Sequence, residues 1–176
     1  MKKLQIGVMG SAADLNYSNE ALECAKEIGK EIAKTGNILV YGAEKEYSSL
    51  STNAAIEASK IGGLTVGVAP GNKKEIYGEF RPTVLIPCGL EMGGGREFSL
   101  VLSCDVIIAI GGGSGTLTEM AIAYQANIPI ICINKFSGWA KDMSNKYFDE
   151  RKRLKCLEAT SAKEAVELAI KSCKKL

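Results

Sequence analysis

Two charged side chains and a run of glycines carry the chemistry of this chain: Arg96, Glu119, and between them Gly111-Gly112-Gly113-Ser114-Gly115-Thr116. Asp105 to Ile110 is apolar enough for a buried strand, so the glycines stand where a strand turns into a helix. Glycine lets a backbone turn sharply and approach a ligand closely, and the free N–H groups and positive dipole end of a helix's first turn attract an anion. The segment predicts a phosphate site, to which the Ser114 and Thr116 hydroxyls add hydrogen bonds. Glu119 is the odd member, because a carboxylate beside an anion site is repelled unless something else holds it. Two readings stand. In one, Thr116-Leu117-Thr118-Glu119 is a capping box, Thr116 capping the helix and Glu119 reaching back to a backbone N–H. In the other, Leu117, Met120, Ala121 and Tyr124 form the core stripe and leave Glu119 beside it, facing a crevice.

Arg96 poses the reverse problem. Gly93-Gly94-Gly95 puts it at a helix start, where the dipole disfavours a cation. It is expected to have a partner, the alternative being a solvated surface arginine. Other chemistries are excluded. The glycine run lacks the Lys-Ser/Thr ending of a P-loop, and Gly7-Val8-Met9-Gly10-Ser11 is followed by no clear acidic ribose reader, so neither P-loop nucleotide hydrolysis nor a dehydrogenase is expected. The absence of histidine removes Ser-His-Asp and Cys-His catalysis and histidine-bound zinc. No metal site and no cofactor is expected.

The elements that must position these residues alternate along 176 residues, enough for one domain and short for two. A composition of 46% apolar and 24% charged residues is that of a globular chain and argues against disorder. Strands are expected at 4–9, 38–41, 64–68, 84–87, 106–110, 130–133 and 154–157. Helices are expected around Ala21, Ala25, Ile28 and Ile32, at 54–61, 96–103 and 117–125, and after the capping box Ser161-Ala162-Lys163-Glu164. Short apolar runs separated by amphipathic helices predict a single-domain, Rossmann-like, doubly wound α/β fold with about seven parallel strands. Its ligands bind in loops after strand C-termini, here those at Gly10, Gly42, Cys88 to Arg96, and Gly111 to Thr116.

Lys and Arg number 22 against 20 Asp and Glu, and the clusters Arg151-Lys152-Arg153 and Lys174-Lys175 read as solvated basic faces, so nucleic acid is not an expected partner. The six cysteines contain no C-x-x-C pair and read as free thiols in a reducing cytoplasm, with Cys104 and Cys132 behaving as small hydrophobes. Met1-Lys2-Lys3 before Leu4 to Met9 imitates a signal peptide, but the apolar stretch is too short. No segment nears the roughly eighteen apolar residues of a membrane span. A cytoplasmic location without a membrane partner is expected.

With Arg96, Asp105 and Gly112-Gly113-Ser114-Gly115-Thr116-Leu117-Thr118-Glu119 in place, the chain resembles the Lonely Guy family, cytokinin riboside 5′-monophosphate phosphoribohydrolases often labelled lysine decarboxylase-like. That family carries an Arg-Lys pair, an Ala-Asp strand and Pro-Gly-Gly-x-Gly-Thr-x-x-Glu; here the pair reads Arg96-Glu97 and Gly111 replaces the proline. The likeness continues through Gly10-Ser11, Leu39-Val40-Tyr41-Gly42, Gly62-Gly63, Val66-Gly67-Val68 and Pro129. It departs after Gly42, where Ala43 to Thr52 replaces a glycine-rich turn, and at Gly93-Gly94-Gly95, which replaces a Met-His; both departures bear on base recognition. Gly-Gly-Arg-Glu and Gly-Gly-Gly-Ser-Gly-Thr are also shared by a compact sister group similar to the molybdenum cofactor carrier proteins, which bind a phosphorylated pterin without cleaving a nucleotide. The DNA-processing DprA-like proteins share the core, but near-neutral charge speaks against single-stranded DNA.

The resemblance implies either hydrolysis of the N-glycosidic bond of a nucleoside 5′-monophosphate, to free base and ribose 5-phosphate, or carriage of a pterin (molybdopterin). On the first reading Arg96 and Glu119 are catalytic. Glu119 would stabilise an oxocarbenium-like centre or orient water, and Arg96 would keep it ionised or position the ribose. Gly10, Ser11, Gly42, Gly95 and the run from Gly111 through Thr116 would bind the phosphate or nucleotide. A homodimer or higher homo-oligomer is expected, chiefly from the family and then from the frequency of two-fold pairs.

Overall fold

The computed structural model describes residues 2–91 and 95–173. Met1, Gly93, Gly94, Lys174 and Lys175, named above, lie outside them. Seven strands, β1 (Gln5–Gly10), β2 (Ile38–Gly42), β3 (Leu64–Ala69), β4 (Val84–Pro87), β5 (Val106–Ile110), β6 (Ile130–Ile133) and β7 (Leu157–Ala159), form one parallel sheet in the order β4-β3-β2-β1-β5-β6-β7. The chain walks outward from β1 to β4 and then returns to the other side of β1 as β5, with Gly10 opposite Ile110. That reversal opens a crevice at the strand C-termini, between the loops that leave β1 and β5.

Both faces of the sheet are covered, which is why the strands read as apolar runs rather than alternations. Helices α1 (Asn19–Lys34), α2 (Leu50–Lys60) and α6 (Ala162–Cys173) bury one face with Val106, Ile108 and Ile110 of β5. Helices α3 (Arg96–Leu102), α4 (Ser114–Gln125) and α5 (Trp139–Met143) bury the other with Ile107 and Ala109. The period-two alternation of β5 thus feeds two cores. Helix α1 begins where Ser18 Oγ accepts the Ala21 N–H at 3.2 Å, and its stripe Ala21, Ala25, Ile28 and Ile32 is buried. At Gly29 it presses on α2 so closely that an added Cβ would collide with the Ala54 carbonyl.

Five expectations are corrected in detail. Helix α2 starts at Leu50 rather than 54, because Ser49 Oγ accepts the Thr52 N–H at 3.0 Å and caps it early. Helix α4 starts at Ser114 rather than 117. Strand β7 runs Leu157–Ala159 rather than 154–157, since Lys155 is drawn into a bridge with Tyr147 and Leu154 packs on the α4 side. In α6 the Glu164 N–H donates to Ser161 Oγ at 3.3 Å, but the Glu164 carboxylate reaches past it to the Thr160 N–H at 2.7 Å. The fifth is the presence of α5 and a 3₁₀ turn at Ala13–Leu15, neither of which the apolar periodicity announces. All six cysteines are free, with Cys104, Cys132 and Cys156 buried.

Candidate functional site

The loop after β5 turns sharply because Gly111 and Gly112 adopt φ of 62° and 96°, in the left-handed region that L side chains avoid. A Cβ at Gly112 would lie 2.5 Å from the Thr116 side chain, which folds beneath the turn and is buried. Thr116 is therefore packed inside the first turn of α4 and is not its cap. Gly113 occupies the N-cap position with no side-chain hydrogen bond, which leaves the first amides of α4 uncapped.

The loop's other polar groups are engaged. The Gly112 N–H donates to Ser11 Oγ at 2.7 Å, so this amide is not available to a phosphate and Ser11 is a brace for the loop. The Gly112 carbonyl accepts from Trp139 N–H at 3.1 Å and the Gly111 carbonyl from Ala140 N–H at 2.9 Å, both at the start of α5. The Gly113 carbonyl accepts from Leu117 N–H at 3.0 Å. Ser114, Gly115 and Thr116, the first residues of this uncapped helix, line the crevice.

A hollow of about 410 Å³ lies against this helix start, and its wall includes Gly10, Asp14, Glu44, Arg96, Glu97, Gly113, Ser114, Gly115, Thr116 and Glu119. The sequence thus brought together Gly10, Gly113 to Thr116, Arg96 and Glu119. It did not bring Gly42 or Gly95 to that wall. Gly42 lacks a side chain because the Arg96 guanidinium fills the space, and Gly95, at φ 136°, makes the turn into α3 against Leu90. Gly111, Gly112 and Ser11 line a second hollow on the far side of the loop.

Arg96 is 5% exposed, which removes the surface reading. Its Nη2 donates to Glu44 Oε1 at 3.1 Å and stands 3.5 Å from Glu97 Oε1. Nε and Nη1 are buried without a hydrogen-bond partner among the described residues, as is Oε2 of Glu44. Each such orphan costs about 1–3 kcal/mol unless something completes it. Glu119, 7% exposed, is not the capping residue and forms no ion pair with Arg96 within 4.0 Å among the described residues. Burial raises its pKa to about 8; Arg96 opposes the rise, and Glu44 and Glu97 add to it. Burial likewise pushes Glu44 up, against the pull of Arg96. With the cation shared by two carboxylates within 3.5 Å, burial outweighs the pull of Arg96 on Glu119 and lifts its pKa above the ordinary glutamate value.

Glu44 and Glu97 are the site residues that motif reasoning missed. Their signal was the Arg96-Glu97 adjacency where the resembling family has Arg-Lys, and a glutamate two residues past Gly42. Among the described residues no cluster of three metal-ligating side chains occurs, and no helix is long and apolar enough to cross a membrane.

The profile of the SLOG cluster4 family matches residues 3–166. The chain belongs to that family. It lies within the Lonely Guy-like superfamily, as the motif around Glu119 led one to expect. Among solved structures, a structural-genomics target designated TM1055 is 26% identical with a TM-score of 0.84, over 97% of this chain and 99% of its own. The molybdenum cofactor binding protein of the phototrophic bacterium Rippkaea orientalis is 30% identical with a TM-score of 0.79, over 98% of both chains. The molybdenum cofactor carrier protein of Chlamydomonas reinhardtii is 28% identical with a TM-score of 0.80, over 99% of this chain and all of its own. This SLOG cluster4 chain shares their seven-stranded α/β architecture from end to end.

Proposed function

We propose that this chain binds a phosphorylated pterin of the molybdenum cofactor type and holds it without cleaving it. The observation that carries this reading is the placement of Glu119: buried, and more than 4.0 Å from a guanidinium already committed to Glu44 and Glu97, so that burial pushes its pKa up to about 8. Cleavage of an N-glycosidic bond passes through a cationic sugar centre, which an ionised carboxylate stabilises and a neutral acid does not. Holding a pterin needs less. The phosphate sits on the uncapped amides of Ser114, Gly115 and Thr116. The amino and ring N–H donors of the pterin meet carboxylate acceptors such as Glu44, and the Glu119 O–H donates to a ring acceptor. Similarity to two molybdenum cofactor binding and carrier proteins over nearly the whole chain supports the same ligand class. The cargo's molybdenum belongs to the ligand, and no residue here is assigned to it.

Phosphoribohydrolase action is the second reading, and one observation favours it: a carboxyl group that keeps its proton at neutral pH is a proton source for a departing base. Mass spectrometry of the ligand retained through purification, together with product analysis on a panel of nucleoside 5′-monophosphates, separates the two. A retained pterin and no ribose 5-phosphate is the expected result. Release of ribose 5-phosphate, abolished in Glu119→Gln, would replace the carrier reading with the hydrolase.

A further inference from the structure

The second hollow, about 450 Å³, meets the first at Gly113 and Leu15, which line both. Its chemistry is different. Among the described residues, the first holds four carboxyl groups and one guanidinium, whereas Lys135 is the charged residue lining the second, set beside the rings of Tyr17 and Phe136 and the amide of Asn16. Tyr17 and Phe136 are half-buried and packed on the core, so their faces are fixed rather than freely rotating. Between the hollows runs the glycine loop, with the uncapped start of α4 on one side and Gly111 and Gly112 on the other. Gly113 is the narrow point, since a Cβ there would lie 2.8 Å from Leu15 Cδ1.

We propose that the two hollows form one bipartite site for a diphosphate-linked ligand, with the diphosphate crossing the loop at Gly113 and a second aromatic, nucleoside-like group seated between Tyr17, Phe136 and Lys135. This extends the proposed phosphate site and rests on it. A ligand ending in one phosphate fills only the acidic hollow. One continuing through a second phosphate gains the Lys135 ammonium opposite that charge and two ring faces for its base. Its second half arrives tethered, so its contacts add to affinity without a second cost of association. Leu15 packs where a Gly113 side chain would stand, and this exposed leucine turns into solvent to let the diphosphate cross. The crevice at the reversal of strand order is also where doubly wound folds lay a two-part ligand across the sheet.

Guanosine 5′-monophosphate, which carries the same amino-pyrimidinone edge as a pterin, and P1,P2-di(guanosine-5′) diphosphate are the probes, compared by calorimetric titration. The wild type is expected to bind the dinucleotide about tenfold or more tightly than the monophosphate. Lys135→Ala combined with Phe136→Ala is expected to erase that gain and leave the monophosphate affinity unchanged, with an unaltered near-ultraviolet circular dichroism spectrum certifying the fold. Because Lys135 is exposed, Lys135→Ala alone, expected to remove part of the gain, keeps the test valid should the double variant misfold. Monophosphate binding with no gain for the dinucleotide overturns the bipartite site and leaves the phosphate reading standing. A gain that survives both substitutions also overturns it. Failure of both nucleotides to bind at millimolar concentration overturns the bipartite site and the phosphate reading together.

Discussion

The guanidinium of Arg96 fills the space that a side chain at Gly42 would occupy, so the end of β2 and the start of α3 are fitted to one another across the sheet. Gly42 serves as a socket for the one cation in the acidic hollow, and Arg96 ties Glu44 and Glu97 together from that seat.

Removing the cation takes from the carboxylate of Glu44 the guanidinium to which it is bonded. Arg96→Met is expected to cost about 3–5 kcal/mol, the range for breaking a buried ion pair from one side. Urea unfolding at pH 7 measures it. Gly42→Ala, which evicts the guanidinium without deleting it, is expected to lose less, about 1–3 kcal/mol from overpacking. Equal stability of wild type and Arg96→Met would mean that the cluster is not held by this residue.

The proton on Glu119 predicts the direction of a pH effect. Its folded pKa of about 8 lies above the ordinary glutamate value of 4.5, so the folded state binds more protons than the unfolded chain between those limits. Its contribution is fully present below about pH 4.5 and is lost as pH rises through 8, a decline on the order of a few kcal/mol. Glu119→Gln carries no titrating proton. Denaturant midpoints at pH 6 and pH 8.5 are expected to fall between the two values for the wild type and to change less for the variant. A wild-type midpoint that rises with pH across this window contradicts the assignment.

Gly115 separates helix stability from anion binding. Nothing lies within 4 Å of a Cβ added there, so a side chain is accommodated. Gly115→Asp places a negative charge in the first turn of α4, which is expected to raise stability by about 0.3–1 kcal/mol through the dipole. The same charge opposes a phosphate and is expected to weaken phosphate-bearing ligands by about tenfold or more. Thermal unfolding and ligand titration on one preparation read both, and unchanged ligand affinity would remove this helix start from the site.

Gly29→Ala tests the packing of α1 on α2. The added methyl meets the Ala54 carbonyl, so the helices must separate, at an expected cost of about 1–3 kcal/mol despite alanine's better helix propensity. Chemical denaturation measures the loss.

The sheet was legible because its strands are buried on both faces: Val106 to Ile110 cannot be placed in water, and five of the seven strands begin at the residue their apolar runs indicate. The sharp turn from β5 into α4 was legible from its glycines, two of which adopt positive φ. Cap chemistry misled, since Thr116-Leu117-Thr118-Glu119 satisfies a capping pattern that Gly112 overrides by turning the chain two residues before α4 begins. Pairing across 52 residues, as between Glu44 and Arg96, leaves no local periodicity to read. Helix α5 is five residues with one buried side chain, too short to carry a stripe.

Because α5 takes up the carbonyls of Gly111 and Gly112, the end of the crevice proposed for the phosphate is built from peptide amides, which neither titrate nor change charge in the physiological range. The carboxyl end does titrate, around Glu119. A ligand spanning both is anchored at one end by a grip indifferent to pH and at the other by one that alkalinity converts from donor to anion. For a ligand placed as proposed, raising the pH past 8 is therefore expected to loosen the ring before the phosphate.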